Sequence, residues 1–290
     1  MSLVRGLVVL GAVGGIDARV ALHETVVAET SALAGGAGPA LVYLNAATPA
    51  GCSEPVVQRA LRGLARAGFR VVAPELPGLR TGTITPAALE TAVAVIETVA
   101  AQAPVRVFGV STGASLGILA AADERLDGRI ARVTAITPFA HLDRIVCLAT
   151  TGIYPGRWGS YPHTVAPLLA SAAERSLIAA AGGDRQAVAP VLENRDVACF
   201  AKLWAALPSS IQTTVAALSP AQAAARVRVP VELVSSGCDR YFPLEESETL
   251  ARTCPQARLS VLAALDHGRP RLSGLPQLLQ LTRFAARLAA

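Results

Sequence analysis

The sequence predicts an α/β fold: a mostly parallel central sheet with helices on both faces, interrupted by a helical cap insertion. Three observations predict it. Short buried-type apolar runs alternate with amphipathic helical stretches through most of the 290 residues, the pattern of repeated strand-helix units with right-handed crossovers. Hydrophobic residues make up 52% of the chain and charged ones only 16%, which suits strands buried on both faces. The alternation stops once, between about residues 138 and 226. That stretch reads as a cap inserted into a core formed by 1–137 and 227–290.

The elements follow in order. Leu3–Leu10 and Arg19–Val27 are β-rich runs joined by a glycine-containing link, and an antiparallel pair is expected. Pro39–Leu44 is a strand, and Ser53-Glu-Pro opens a helix reaching Gly68 with Val56, Leu61 and Leu64 at helical spacing. Phe69–Pro74 is the next strand, broken by Pro77-Gly78. Pro86–Ala101 reads as a helix, Val105–Val110 as a strand, Ser111–Asp123 as a helix and Arg129–Thr137 as a strand. After the insertion come strand Val229–Ser235, a helix near Pro243–Thr253, strand Arg258–Ala264 and a final helix from about Leu272.

Composition excludes several classes. The net charge is +5, but the arginines are scattered singly and aromatic residues are only 4%, so the clustered basic surface and stacking rings of a nucleic-acid binder are missing. The apolar run Gly6–Ile16 is too short to span a membrane. Five cysteines, an odd number without paired spacing, favour reduced thiols and a cytoplasmic setting. No CxxC or HxxxH spacing supports a metal site. No cofactor is expected: the run Gly11-Ala-Val13-Gly14 has Val13 where a dinucleotide fingerprint needs its second glycine.

The chemistry-bearing signal is Gly109-Val110-Ser111-Thr112-Gly113, placed where a strand ends and a helix begins. A serine there sits on a sharp turn that only small neighbours at −2 and +2 permit. The helix start beneath it would aim the Thr112 amide at an oxyanion. A serine hydroxyl needs a base, and the base needs a fixed tautomer. Asp239, in SSGCDRYFP, and His267, in LDHGRP, each follow a predicted strand. Functional groups of an open α/β sheet gather at the carboxyl ends of its strands, so the three side chains can converge. Asp143, just past the strand ending at Thr137, is the rival acid.

With GVSTG, GCDRYFP and DHG in this order, the chain resembles the α/β-hydrolase superfamily over essentially its whole length. The resemblance implies Ser111 as nucleophile, Asp239 as the acid after the family's seventh strand and His267 as the base after the eighth. It also implies a second oxyanion amide after the third strand. Here that loop is Leu44-Asn45-Ala46-Ala47-Thr48-Pro49, without the family's His-Gly, and Ala47 is the expected donor with Ala46 as alternative. The run Pro-Glu-Leu-Pro-Gly at 74–78 resembles the family's Pro-Asp-x-x-Gly turn.

The expected activity is carboxylesterase-like cleavage of an ester or related acyl bond in a small, apolar substrate. Thioester cleavage, acyl transfer and non-catalytic ligand binding are the alternatives. The insertion carries Tyr154, Trp158 and Trp204, and these are expected to line an acyl pocket.

Overall fold

The computed structural model describes residues 20–263, 265–267 and 269–270. Among the described residues six strands precede the insertion: β1 (Leu22–Val27), β2 (Thr30–Gly35), β3 (Ala40–Leu44), β4 (Arg70–Pro74), β5 (Val105–Val110) and β6 (Ile130–Ile136). A separate hairpin, β7 (Ile153–Gly156) and β8 (Gly159–Pro162), lies within it. After it come β9 (Val231–Ser235), β10 (Ala257–Val261) and the two-residue pair β11 (Leu265–Asp266) and β12 (Arg269–Pro270). The main sheet has eight strands in the order β1-β2-β4-β3-β5-β6-β9-β10. The β1–β2 and β2–β4 pairings are antiparallel and all others parallel.

Among the described residues the antiparallel edge is a hairpin of β1 and β2. β1 pairs with Thr30–Gly35 across Ala28 and Glu29, whose φ angles are 47° and 62°, values that match the twist of a two-residue hairpin. The run TSALAG of β2 is small-residue-rich and lacks alternation, so no local signal marks it as a strand. The runs Leu3–Leu10 and the helix from Leu272 lie outside the described residues.

Helices cover both faces. Along β3, Val42 and Leu44 join one apolar cluster, with α2 (Pro86–Val99) and α3 (Thr112–Ala121), while Leu41 and Tyr43 join another with α1 (Pro55–Arg66). That division follows from the two-residue period of a strand. Between β6 and β9 the chain forms α4 (Leu142–Thr151), the β7–β8 hairpin, α5 (Pro167–Ala180), α6 (Arg185–Leu192), α7 (Val197–Ala205) and α8 (Ser209–Ala217). Their buried faces make a third cluster, including Leu148, Leu177, Val191 and Ile211, which Ile84 from before α2 and Phe139 also join. Phe242, just before α9 (Leu244–Thr253), belongs to that cluster too. Among the described residues no helix is long and apolar enough to cross a membrane.

Candidate active site

The site begins at the carboxyl end of β5. Ser111 follows directly, with φ 54° and ψ −122°, and α3 starts at the next residue. A non-glycine residue in this region stores about 1–3 kcal/mol of strain, and the surroundings over-determine it. The Ser111 amide donates to the Ile136 carbonyl at 2.7 Å. A Cβ on Gly109 would lie 2.5 Å from the Ala114 Cα, and one on Gly113 would lie 2.2 Å from the Leu44 carbonyl oxygen. Both flanking glycines are therefore demanded by backbone-to-backbone contact. The contact at Gly113 also brings the end of β3 against the first turn of α3.

Asp239 lies four residues past the end of β9 and is 3% exposed. Its Oδ1 accepts from the amides of Tyr241 at 2.8 Å and Phe242 at 3.0 Å, an Asx-type turn that fixes the carboxylate. His267 occupies the turn between β11 and β12 with φ 40°. Its Nδ1 lies 2.8 Å from Asp239 Oδ1 and 2.9 Å from Oδ2, and its Nε2 lies 2.9 Å from Ser111 Oγ. A carboxylate only accepts, so Nδ1 carries the proton and Nε2 is left to accept from the serine hydroxyl. Tyr241 stacks on the imidazole at 4.1 Å and Phe242 meets it edge-on at 5.3 Å. These rings wall the imidazole, and nothing in the local sequence signalled them.

The structure thus brings Ser111, His267 and Asp239 into one hydrogen-bonded line. Asp143 stays apart from it, in the first turn of α4. Of the two candidate loop amides, that of Ala46 is engaged by its neighbour's side chain, donating to Asn45 Oδ1 at 2.8 Å. The Ala47 amide has no such acceptor among the described residues. The Thr112 amide opens α3, where no intrahelical acceptor exists. The loop is braced from below: Asn45 Nδ2 donates to Thr48 Oγ1, and Glu75 Oε1 accepts from the Cys52 amide at 2.8 Å.

The three aromatic residues expected at a pocket lie in three different settings. Tyr154 is fully buried and donates its hydroxyl to Glu246 Oε1, so it has no surface to offer a substrate. Trp158 is 87% exposed at the turn of the β7–β8 hairpin, with the Arg157 guanidinium over its ring. Trp204 is half-buried and stacks on Phe200 within the insertion's own core.

Sequence reasoning missed three further features. Thr137, just past β6, has φ 47° and a buried Oγ1 without a partner among the described residues; positive φ is a strained conformation for a β-branched residue. His163, after β8, lies against Asp239, and burial holds its imidazole below the ordinary histidine value, partly opposed by that neighbour. Glu246 is wholly buried. Such tertiary burial has no sequence signature. Among the described residues no three His, Cys, Asp or Glu side chains group as metal ligands would.

No family model and no curated protein matches the chain. Solved structures do match in fold. An acylaminoacyl peptidase complexed with Z-Gly-Gly-Phe-chloromethyl ketone superposes with a TM-score of 0.59 at 13% identity over 92% of this chain. The chain spans only 40% of that peptidase's length. A putative lipase from Acinetobacter baumannii AYE matches with a TM-score of 0.54 at 13% identity, covering 98% of this chain and 95% of the lipase. A putative non-heme bromoperoxidase from Mycobacterium tuberculosis H37Rv matches with a TM-score of 0.52 at 16% identity, covering 93% and 96%. The chain has the α/β-hydrolase fold.

Proposed function

We propose that the chain is a serine hydrolase that cleaves an ester, or a related acyl bond, of a small acyl substrate through an acyl-serine intermediate. One observation carries the reading: the Ser111 hydroxyl, the His267 imidazole and the Asp239 carboxylate form a single hydrogen-bonded line at the carboxyl end of the sheet. Ser111 Oγ attacks the acyl carbon as its proton passes to His267 Nε2. Asp239 holds the tautomer and favours the imidazolium that forms. The charge on the carbonyl oxygen is met by the amides of Thr112 and Ala47, donors already in place before reaction. When the tetrahedral adduct collapses, the bond to the leaving oxygen breaks and Nε2 returns its proton to that oxygen. Water, deprotonated by Nε2, then attacks the acyl-serine and releases the acid and the free hydroxyl.

Thioester cleavage or acyl transfer would use the same residues with a different leaving group or acceptor. Simple binding is disfavoured, because a binder gains nothing from a strained serine aligned with a base. The rings of Tyr241 and Phe242 packed on His267 support a neutral, short-to-medium acyl group. In this reading residues 138–226 are a cap over the core formed by 1–137 and 227–290, and no cofactor takes part. The five cysteines, none in a disulfide, support a reducing, cytoplasmic setting.

The test is covalent labelling. A fluorophosphonate should label the parent chain once, at Ser111. Ser111→Ala should keep the fold, lose the label and lower activity on an activated ester by about 10³-fold or more. A labelled alanine variant would overturn the assignment.

A further inference from the structure

Beyond the three aligned residues, one buried acid has no part in the chemistry and an unusual set of partners. Glu246, in the first turn of α9, is wholly buried. Its Oε2 accepts from the Ala140 amide and from the His141 amide at 2.7 Å. Its Oε1 accepts from the Tyr154 hydroxyl, beside which the Arg144 guanidinium lies. His141 Nδ1 lies 3.6 Å from the same oxygen. The carboxylate therefore sits between the starts of two helices, α9 and α4, whose free amides and dipoles favour an anion. A buried charge is kept only where such partners hold it.

What Glu246 grips is the loop from β6 to α4, and that loop is gripped on its other side by α3. Ser115 Oγ accepts from the Phe139 amide at 2.9 Å and donates to the Phe139 carbonyl at 3.0 Å. α3 carries Ser111 at its start, and α9 follows the turn that carries Asp239. The Phe139 ring packs edge-on against Phe242 at 5.4 Å, and Phe242 packs edge-on against His267. Ser115 and Glu246 are thus two stitches on one loop, one from the nucleophile's helix and one from the helix after the acid. The loop sets how far apart the two sides stand.

Resting on the serine-hydrolase reading, we infer that Glu246 is a positioning residue: by fixing residues 140 and 141, next to Phe139, it holds Phe242, and so the His267 imidazole, in register with Ser111. It touches neither substrate nor the reacting atoms. Misplacing a base by a fraction of an ångström slows the chemical step and leaves substrate binding largely alone.

The experiment compares Glu246→Ala, Glu246→Gln and Ser115→Ala, each at a temperature where circular dichroism shows it folded. kcat is expressed per phosphonate-labelled serine. Glu246→Ala should lower kcat by about 10- to 100-fold with KM within about threefold of the parent. Glu246→Gln should recover most of the loss, because its amide oxygen can still accept from the two backbone amides. Ser115→Ala, which opens the other stitch, should also lower kcat and spare KM, and it carries the test if Glu246→Ala does not fold. A kcat per labelled serine equal to the parent's in the folded variants overturns the inference while the triad stands. A parent chain that takes no label removes the serine-hydrolase reading, and this inference with it.

Discussion

The elbow around Ser111 and the insertion between β6 and β9 are built on opposite plans. The elbow is made of backbone meeting backbone, with Gly109 and Gly113 against atoms that have no room to move. The insertion is made of amphipathic helices around side chains such as Leu148, Leu177 and Val191, attached to the core through polar side chains such as Glu246. A backbone-defined site tolerates almost no substitution and announces itself as a motif. A site defined by side-chain packing tolerates many sequences and announces nothing.

The largest effect should fall on the elbow's acid partner. Asp239→Asn should lower kcat by about 10⁴-fold, since an amide stabilises the wrong imidazole tautomer. Asp143→Asn should change it less than about twofold, because Nδ1 has both its contacts on Asp239. Steady-state rates on an activated ester decide this, and the reverse ranking would move the acid into the insertion.

Next comes the elbow's intolerance itself. Gly113→Ala forces a Cβ to within 2.2 Å of the Leu44 carbonyl oxygen, and backbone cannot give way as a side-chain tip can. A loss of about 3 kcal/mol in denaturant unfolding is expected, with reduced phosphonate labelling. A variant of parental stability would show that the contact between β3 and α3 is softer than described.

The insertion should respond in a graded way. Trp204→Ala removes a half-buried ring stacked on Phe200 and should cost about 2 kcal/mol. Trp158→Ala, at an exposed hairpin turn, should stay within about 0.5 kcal/mol of the parent. Neither should alter acyl chain-length preference. A shifted profile for Trp158→Ala would bring the hairpin tip into contact with the substrate after all.

The smallest effect is a pH dependence. The His163 imidazole is held below its ordinary value of 6.5, chiefly by burial. The unfolded chain then binds the proton more readily than the folded one, so stability falls as the pH drops below about 6.5 and is flat above it. His163→Gln should flatten the acid limb of a melting-temperature profile. An unchanged slope would assign the acid sensitivity to other groups.

Much of this was legible beforehand because it is local. The GVSTG run, its place between a strand and a helix, and the positions of Asp239 and His267 after strands are all matters of spacing. The β2 strand was not legible, because TSALAG becomes a strand only by pairing with β1 and β4. The settings of the insertion's aromatic residues were not legible for a related reason. Their clustering in sequence is visible, whereas which ring ends in solvent, in the core or against a carboxylate depends on neighbours many residues away.

The alternating α/β architecture and the serine elbow are local properties, since strand period, helix period and the steric needs of a tight turn are short-range. Long-range packing decided that Asp239 rather than Asp143 meets His267, and the folded loop that Ala46's amide is spent on Asn45. It also decided that Glu246, in the first turn of α9, is buried. These are long-range pairings of polar groups, and their energy depends on distance and burial that no local pattern encodes.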